Sequence, residues 1–196
     1  MSLTDEFLAQ ANALYQDFQA HDALQSDRLQ RFRNIEPESA RLLGVLIRAQ
    51  QARKILEIGT STGYSTLWLA NAAQSTQGQV TTIEIDAERS RQAQQHAVRL
   101  HLQNAVEFKV GDALEFLQQC TERYDFILLD AERDAYVAYW PYLAQLMQAK
   151  GGLLAVDNVL SHASEVAEFI GMVEADQRFA CASLPVGAGL LLVTAV

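Results

Sequence analysis

Apolar positions near the start of the chain recur at helical spacing. Phe7, Leu8, Ala11, Leu14, Tyr15 and Phe18 follow the i, i+3, i+4 rhythm that gathers side chains on one helix face. A second helix is expected over EPESARLLGVLIRAQQ, with Pro37 in its first turn and a stripe through Leu42, Leu43, Leu46 and Ile47. From residue 54 the pattern changes to short apolar runs, which predict strands at 54–59, 79–85, 105–110, 124–130, 151–157, 179–185 and 189–195. Helical segments at 63–74, 87–102, 112–120 and 136–148 separate the first five. Such alternation implies an α/β fold, a mostly parallel sheet covered by helices on both faces. Only VGA joins the last two strands, too short for a helical crossover, so they are expected to form an antiparallel C-terminal hairpin.

Composition narrows this picture without redirecting it. The 196 residues fit a single domain over 1–196, N-terminal helices in 1–50 and an α/β core in 51–196, and 49% hydrophobic residues with 3 Pro and 10 Gly are ordinary for a globular chain. A net charge of −9 argues against a broad grip on nucleic acid or anionic lipid, and the basic cluster Arg28, Arg31 and Arg33 reads as a solvated helix face. The stretch MSLTDEFLAQANALYQDFQ has no basic leader region. The longest apolar runs fall far short of the roughly 20 residues of a membrane helix. A cytoplasmic protein without a membrane partner is the expectation. Cys120 and Cys181 form no CxxC pair and read as small buried hydrophobes.

In an open α/β sheet the ligand lies outside the carboxyl ends of the strands, near the reversal of strand order. The residues to inspect are therefore Glu57 to Gly59, Glu84, Gly111 to Ala113, Asp130, and Asp157 with Asn158. In ILEIGTSTGYS (55–65), Gly59 and Gly63 let the backbone pass close to a ligand, but G-x-x-x-G matches neither the dinucleotide nor the phosphate-loop spacing. Glu57 would repel phosphate and suit an amino group. Glu84, 27 residues on, is where an acid commonly takes the hydroxyls of a ribose, whereas Asp86 is the better helix cap. A ligand with an aminoacyl end, a ribose and no phosphates is S-adenosylmethionine.

LEIGTSTGYSTLWLA, TTIEID, VGDALEFL, LLDAERDAY and LLAVDNVL, in this order, resemble the cation-dependent class I O-methyltransferases, which include catechol and caffeoyl-coenzyme A methyltransferases and small bacterial relatives. The resemblance covers residues 35 to 195 and implies a Rossmann-like class I methyltransferase fold. It implies that Glu57, Gly59 and Ser65 hold the amino acid end of S-adenosylmethionine, Glu84 the ribose and Ala113 the adenine, with Ile35, Thr60 and Asp130 also touching the cofactor. A homodimer is implied in the same way.

Asp130, Asp157 and the side-chain carbonyl of Asn158 offer three hard oxygens from two strand ends. Mg²⁺ is usually held by one or two carboxylates with other positions left open, and Mn²⁺ or Ca²⁺ would also fit, whereas the absence of His and Cys disfavours zinc. Taken alone, DN reads as a turn with an Asn cap. Beside Asp130, the cation site is the better account, since two neighbouring carboxylates would otherwise repel. The reaction would be transfer of the sulfonium methyl to a hydroxyl of a small, catechol-like acceptor, with Asp130 in the catalytic centre.

The family places a Lys general base where this chain has Arg133, and a guanidinium cannot accept a proton near neutral pH. Two readings stay open for Arg133: an electrostatic stabiliser of the oxyanion, or a surface partner of Glu132 or Asp134. His162 has two as well, a contact to the acceptor or a solvated loop residue. Tyr136, Tyr139, Trp140 and Leu143 form one stripe, read as core or dimer packing, with an aromatic wall for a planar acceptor as the minor alternative. Ala188 stands where the family tends to have Asp. Other functions remain in view: methylation of a hydroxylated nucleoside in transfer RNA, which the −9 charge disfavours, and a cofactor-binding protein whose turnover is lost or altered.

Overall fold

The computed structural model describes residues 4–196; Met1, Ser2 and Leu3, which open the stretch expected to lack a leader, lie outside the described residues. Thr4 caps the first helix, α1 (Asp5–Leu24), by accepting the Phe7 N–H, and Pro37 sits in the first turn of α2 (Pro37–Gln50). The remaining elements are β1 (Lys54–Ile58), α3 (Tyr64–Thr76), β2 (Gln79–Glu84), α4 (Ala87–Arg99), β3 (Val106–Val110), α5 (Ala113–Gln119), β4 (Phe126–Leu129), α6 (Tyr136–Leu146), β5 (Leu153–Val156), α7 (Ala163–Ala175), β6 (Phe179–Leu184) and β7 (Leu190–Ala195). None of the described helices is long and apolar enough to cross a membrane.

The seven strands form one sheet in the order β3-β2-β1-β4-β5-β7-β6. The first five pair in parallel, while β7 runs antiparallel between β5 and β6, as the short VGA link requires. Both faces are covered, which is why β4 reads as an unbroken apolar run and β1 is buried from Ile55 onward, Glu57 included. One core packs α1 to α4 on the sheet, with Phe7 edge-on to Trp68 at 5.1 Å; the other packs α5, α6 and α7 around Trp140 and Phe169.

Two departures from the sequence-based expectation have local causes. Strand β4 starts at Phe126 rather than Tyr124 because the Asp125 carboxylate turns back to accept the Arg53 and Lys54 N–H groups, at 2.7 and 2.8 Å. Helix α7 was not among the expected helices, although Val166, Phe169 and Val173 lie at helical spacing and are buried. His, Ser, Ala and Glu around 161–168 dilute that stripe to three strong positions.

Strand order reverses between β1 and β4, and there the backbone of Gly59 lies against that of Asp130. Gly59 adopts φ +98, and a Cβ on it would overlap the Asp130 carbonyl. Gly63, at φ +92, lies so close to α4 that a Cβ would come within 2.7 Å of the Ala93 Cβ. Gly59→Ala is therefore expected to destabilise the fold by about 2–4 kcal/mol, left-handed strain plus overlap. Gly171→Ala on α7, where a Cβ meets nothing within 4 Å, is expected to be neutral or to add about 0.5–1 kcal/mol. Urea unfolding of both variants measures the contrast; equal effects would contradict the tight approach at Gly59.

Candidate active site at the strand-order reversal

A cavity of about 500 Å³ opens at the carboxyl ends of β1, β2 and β4. Gly59, Thr60, Ser65, Glu84, Ala113, Ile35, Asp130, Asn158, Arg133 and His162 all line it. Glu57 and Asp157 are the two expected site residues that do not; both are buried beneath its floor.

The half near β1 and β2 is built on hydroxyls and backbone amides. Glu57 is fully buried and accepts hydrogen bonds from the Ser65, Thr66 and Thr82 hydroxyls at 2.5, 2.5 and 2.6 Å. Burial pushes its carboxyl up to about 7, against the pull of those three hydroxyls and with a further push from Asp130. Glu57 therefore reaches the cavity through Ser65, not directly. Glu84 is held by two backbone amides, Ser61 N–H at 2.7 Å and Asp86 N–H at 3.0 Å. Capping of α4 falls to Asp86, which accepts the Glu88 and Arg89 N–H groups. Asp112 likewise caps α5, leaving Ala113 at the wall.

The basic cluster Arg28, Arg31 and Arg33 is not a solvated helix face. Residues 25–36 form an irregular strap with one 3-10 turn, Arg28–Gln30, and Arg28, Leu29, Phe32, Arg33, Asn34 and Ile35 line the cavity. The Asp22 carboxylate accepts the Phe32 and Arg33 N–H groups at 2.7 and 2.9 Å, and the His21 ring stacks on Phe32 at 3.8 Å. The Ser61 hydroxyl donates to the Phe32 carbonyl, and Arg89 donates to the carbonyls of Leu29 and Arg31. The strap is thus tied to α1, to the loop after β1 and to α4. No periodicity marks such a segment, so composition alone could not assign it.

At the other half, β4 and β5 end in Asp130 and Asp157. The Asn158 amide nitrogen sits between them, donating to Asp130 Oδ1 at 3.2 Å and Asp157 Oδ2 at 2.9 Å. Asn158 adopts left-handed φ +66 to do so. Asp157 Oδ1 is buried with no hydrogen-bond partner among the described residues. Burial raises the pKa of both carboxyls well above the usual range, and Glu36 adds to the rise in each. Glu36 was not singled out from the sequence; it precedes α2 and accepts the Ala188 N–H at 3.3 Å, while the Ala188 carbonyl accepts N–H groups from Leu160 and Ser161. This contact ties the turn at Ala188 to the loop that carries Asn158. Among the described residues no three His, Cys, Asp or Glu side chains gather at metal-binding range. The oxygen set here is two carboxylates and one amide.

Arg133 is buried and donates from Nε to Glu165 Oε2 of α7 at 2.7 Å, so neither Glu132 nor Asp134 is its partner. Glu132 instead receives Arg28 and Arg33 from the strap, at 3.3 and 2.5 Å. His162 lines the cavity with its Nδ1 engaged by the Ser161 hydroxyl at 2.9 Å. In the aromatic stripe, Tyr136, Trp140 and Leu143 are core, while Tyr139 reaches the cavity wall. Cys120 and Cys181 are free and only half-buried, less enclosed than expected.

Comparison with known proteins agrees with this geometry. The chain is 33% identical over 131 residues to a catechol O-methyltransferase of Niastella koreensis, a match covering 65% of this chain and 58% of that protein. It is 31% identical over 179 residues to caffeoyl-CoA O-methyltransferase 2 of Populus trichocarpa, covering 79% and 72%. A solved O-methyltransferase from Bacillus cereus, in complex with SAH, superposes with a TM-score of 0.81 at 28% identity, covering 96% of this chain and 91% of that one. The sequence pattern of the O-methyltransferase family matches residues 16–196, and the chain belongs to that family.

Proposed function

We propose that the protein transfers a methyl group from S-adenosylmethionine to a hydroxyl of a small aromatic diol, with a divalent cation, Mg²⁺ or a close relative, held by Asp130, Asp157 and Asn158. The observation that carries this reading is the Asn158 amide group wedged between the half-buried Asp130 carboxylate and the buried Asp157 carboxylate, the latter with an unpartnered oxygen. An N–H dipole lies where a positive charge is wanted, and the donor set is all hard oxygen once the amide turns its carbonyl inward. The related structure in complex with SAH and the catechol and caffeoyl-CoA relatives support the cofactor and the acceptor class.

The parts divide as follows. S-adenosylmethionine, when bound, supplies an electrophilic methyl on sulfur. The cation, when bound, lowers the pKa of a coordinated hydroxyl and fixes its oxygen. Glu84, already oriented by two backbone amides, is placed to accept both ribose hydroxyls, while Ser65 and Thr60 present the hydroxyl layer above Glu57 to the amino acid end. The strap and Tyr139 wall the cavity beside the transfer path. Arg133 takes no proton; its charge, fixed by Glu165, stabilises the developing phenolate. With Nδ1–H donating to the Ser161 hydroxyl, His162 has Nε2 free to take the released proton, which then leaves to solvent.

Three outcomes are expected. S-adenosylhomocysteine at 100 times its Kd raises stability by about 2.7 kcal/mol in a thermal melt, and no shift would contradict the cofactor assignment. Asp157→Asn raises the melting temperature of the ligand-free protein, most at alkaline pH, because burial and Asp130 both oppose the ionised Asp157 carboxylate. The same variant cuts Mg²⁺-dependent methylation by about 100-fold or more. Unchanged turnover with catechol would remove the cation site from the mechanism. Arg133→Lys keeps or raises the rate, whereas Arg133→Ala lowers it to the same extent at pH 7 and pH 9, with Glu165→Gln in between; wild-type rates in the alanine variant would exclude Arg133.

A further inference from the structure

Two guanidinium groups on the strap converge on one carboxylate. Arg28 and Arg33 both pair with Glu132, and among the described residues neither has another carboxylate within ion-pair distance. Arg33 donates to Glu132 through Nη2 only, while its Nε is buried and has no partner. Nε and Nη2 form one edge of the guanidinium, the edge that takes both oxygens of a carboxylate side by side. That edge is half filled. Glu132 is half exposed and its ion pairs are of the weak surface type, so an incoming anion displaces it easily.

Arg33 is also held in an unusual way. Its backbone is left-handed at φ +53, a conformation that a non-glycine residue keeps only when its surroundings enforce it, and the Asp22 carboxylate enforces it through the Phe32 and Arg33 N–H groups. Arg28 and Arg33 face the same cavity as Asp130, Asn158 and His162, with Glu132 between Asp130 and Arg133 in sequence. A rigid positive edge stands beside the place assigned to the acceptor.

We propose that Arg33, assisted by Arg28, is an anion seat that selects the acceptor: an aromatic diol bearing a carboxylate, which bridges Nε and Nη2 of Arg33 in place of Glu132. The proposal rests on the aromatic-diol reading of the site and specifies which diols it takes.

The test compares 3,4-dihydroxybenzoate with 3,4-dihydroxybenzamide, a neutral molecule of nearly the same shape. With S-adenosylmethionine and Mg²⁺, the acid is expected to exceed the amide in kcat/KM by about tenfold or more, chiefly through KM. Arg33→Gln brings that ratio near unity whatever it does to the amide rate, Arg33→Lys restores part of it, and Glu132→Gln lowers KM for the acid. An acid-to-amide ratio near unity in the wild type, or one that survives Arg33→Gln, overturns the proposal. If neither diol is methylated, the diol reading itself fails at turnover. Calorimetric titration of both compounds into the S-adenosylhomocysteine complex then decides the seat: tighter, Arg33-dependent binding of the acid supports it, and equal affinities overturn it. Arg33-dependent methylation of RNA in place of either small diol would show that the guanidiniums read phosphate, and would also overturn it.

Discussion

The contact on which the site depends is the backbone of Gly59 pressed against that of Asp130. It occurs where strand order reverses, so the loop after β1 and the end of β4 share a floor with no side chain between them. The hydroxyl-lined half of the cavity and the carboxylate half are thereby placed side by side. A methyl donor and an oxygen acceptor need that adjacency, because transfer in line over a short distance draws most of its advantage from positioning. Parallel strands supply the rest of the frame: their carboxyl ends all open on one edge, and the helices that cover both faces keep that edge rigid.

Electrostatics divides the two halves. On one side Glu57 is surrounded by three hydroxyl donors and stays a local matter, its charge spread into Ser65, Thr66 and Thr82. On the other, Asp130 and Asp157 have only the Asn158 amide between them, and Glu36 adds a further negative charge nearby. The first arrangement is satisfied without a ligand. The second is not, since the buried Asp157 Oδ1 accepts nothing. A hard cation would remove this imbalance, and the two guanidiniums that act on Asp130, those of Arg33 and Arg133, are both already directed to glutamates at 2.5 and 2.7 Å.

Much of this could be read from the chain because apolar runs and strand-end carboxylates are local signals. Asp130, Asp157 and Asn158 stand at the ends of apolar strands, and the sheet topology alone brings them together. Strand alternation does not reveal that three hydroxyls from α3 and β2 close over Glu57. Of the strap only Ile35 was legible. Its order comes from Asp22, Ser61 and Arg89, which lie 10 to 60 positions from the groups they bind, and no periodicity records such contacts. Glu165 escaped for a related reason: the apolar stripe of α7 is short, and the partner of Arg133 lies 32 residues downstream.

The proposed cation site at Asp130, Asp157 and Asn158 would lie next to the reacting methyl. It is tested most directly by carbon-13 NMR of S-adenosylmethionine labelled at the S-methyl and bound to the protein, titrated with Mn²⁺ in place of Mg²⁺. Strong paramagnetic broadening of the bound methyl resonance is expected, which Mg²⁺ reverses by competition and Asp157→Asn abolishes. A bound methyl signal indifferent to Mn²⁺, or broadened equally in Asp157→Asn, would contradict it.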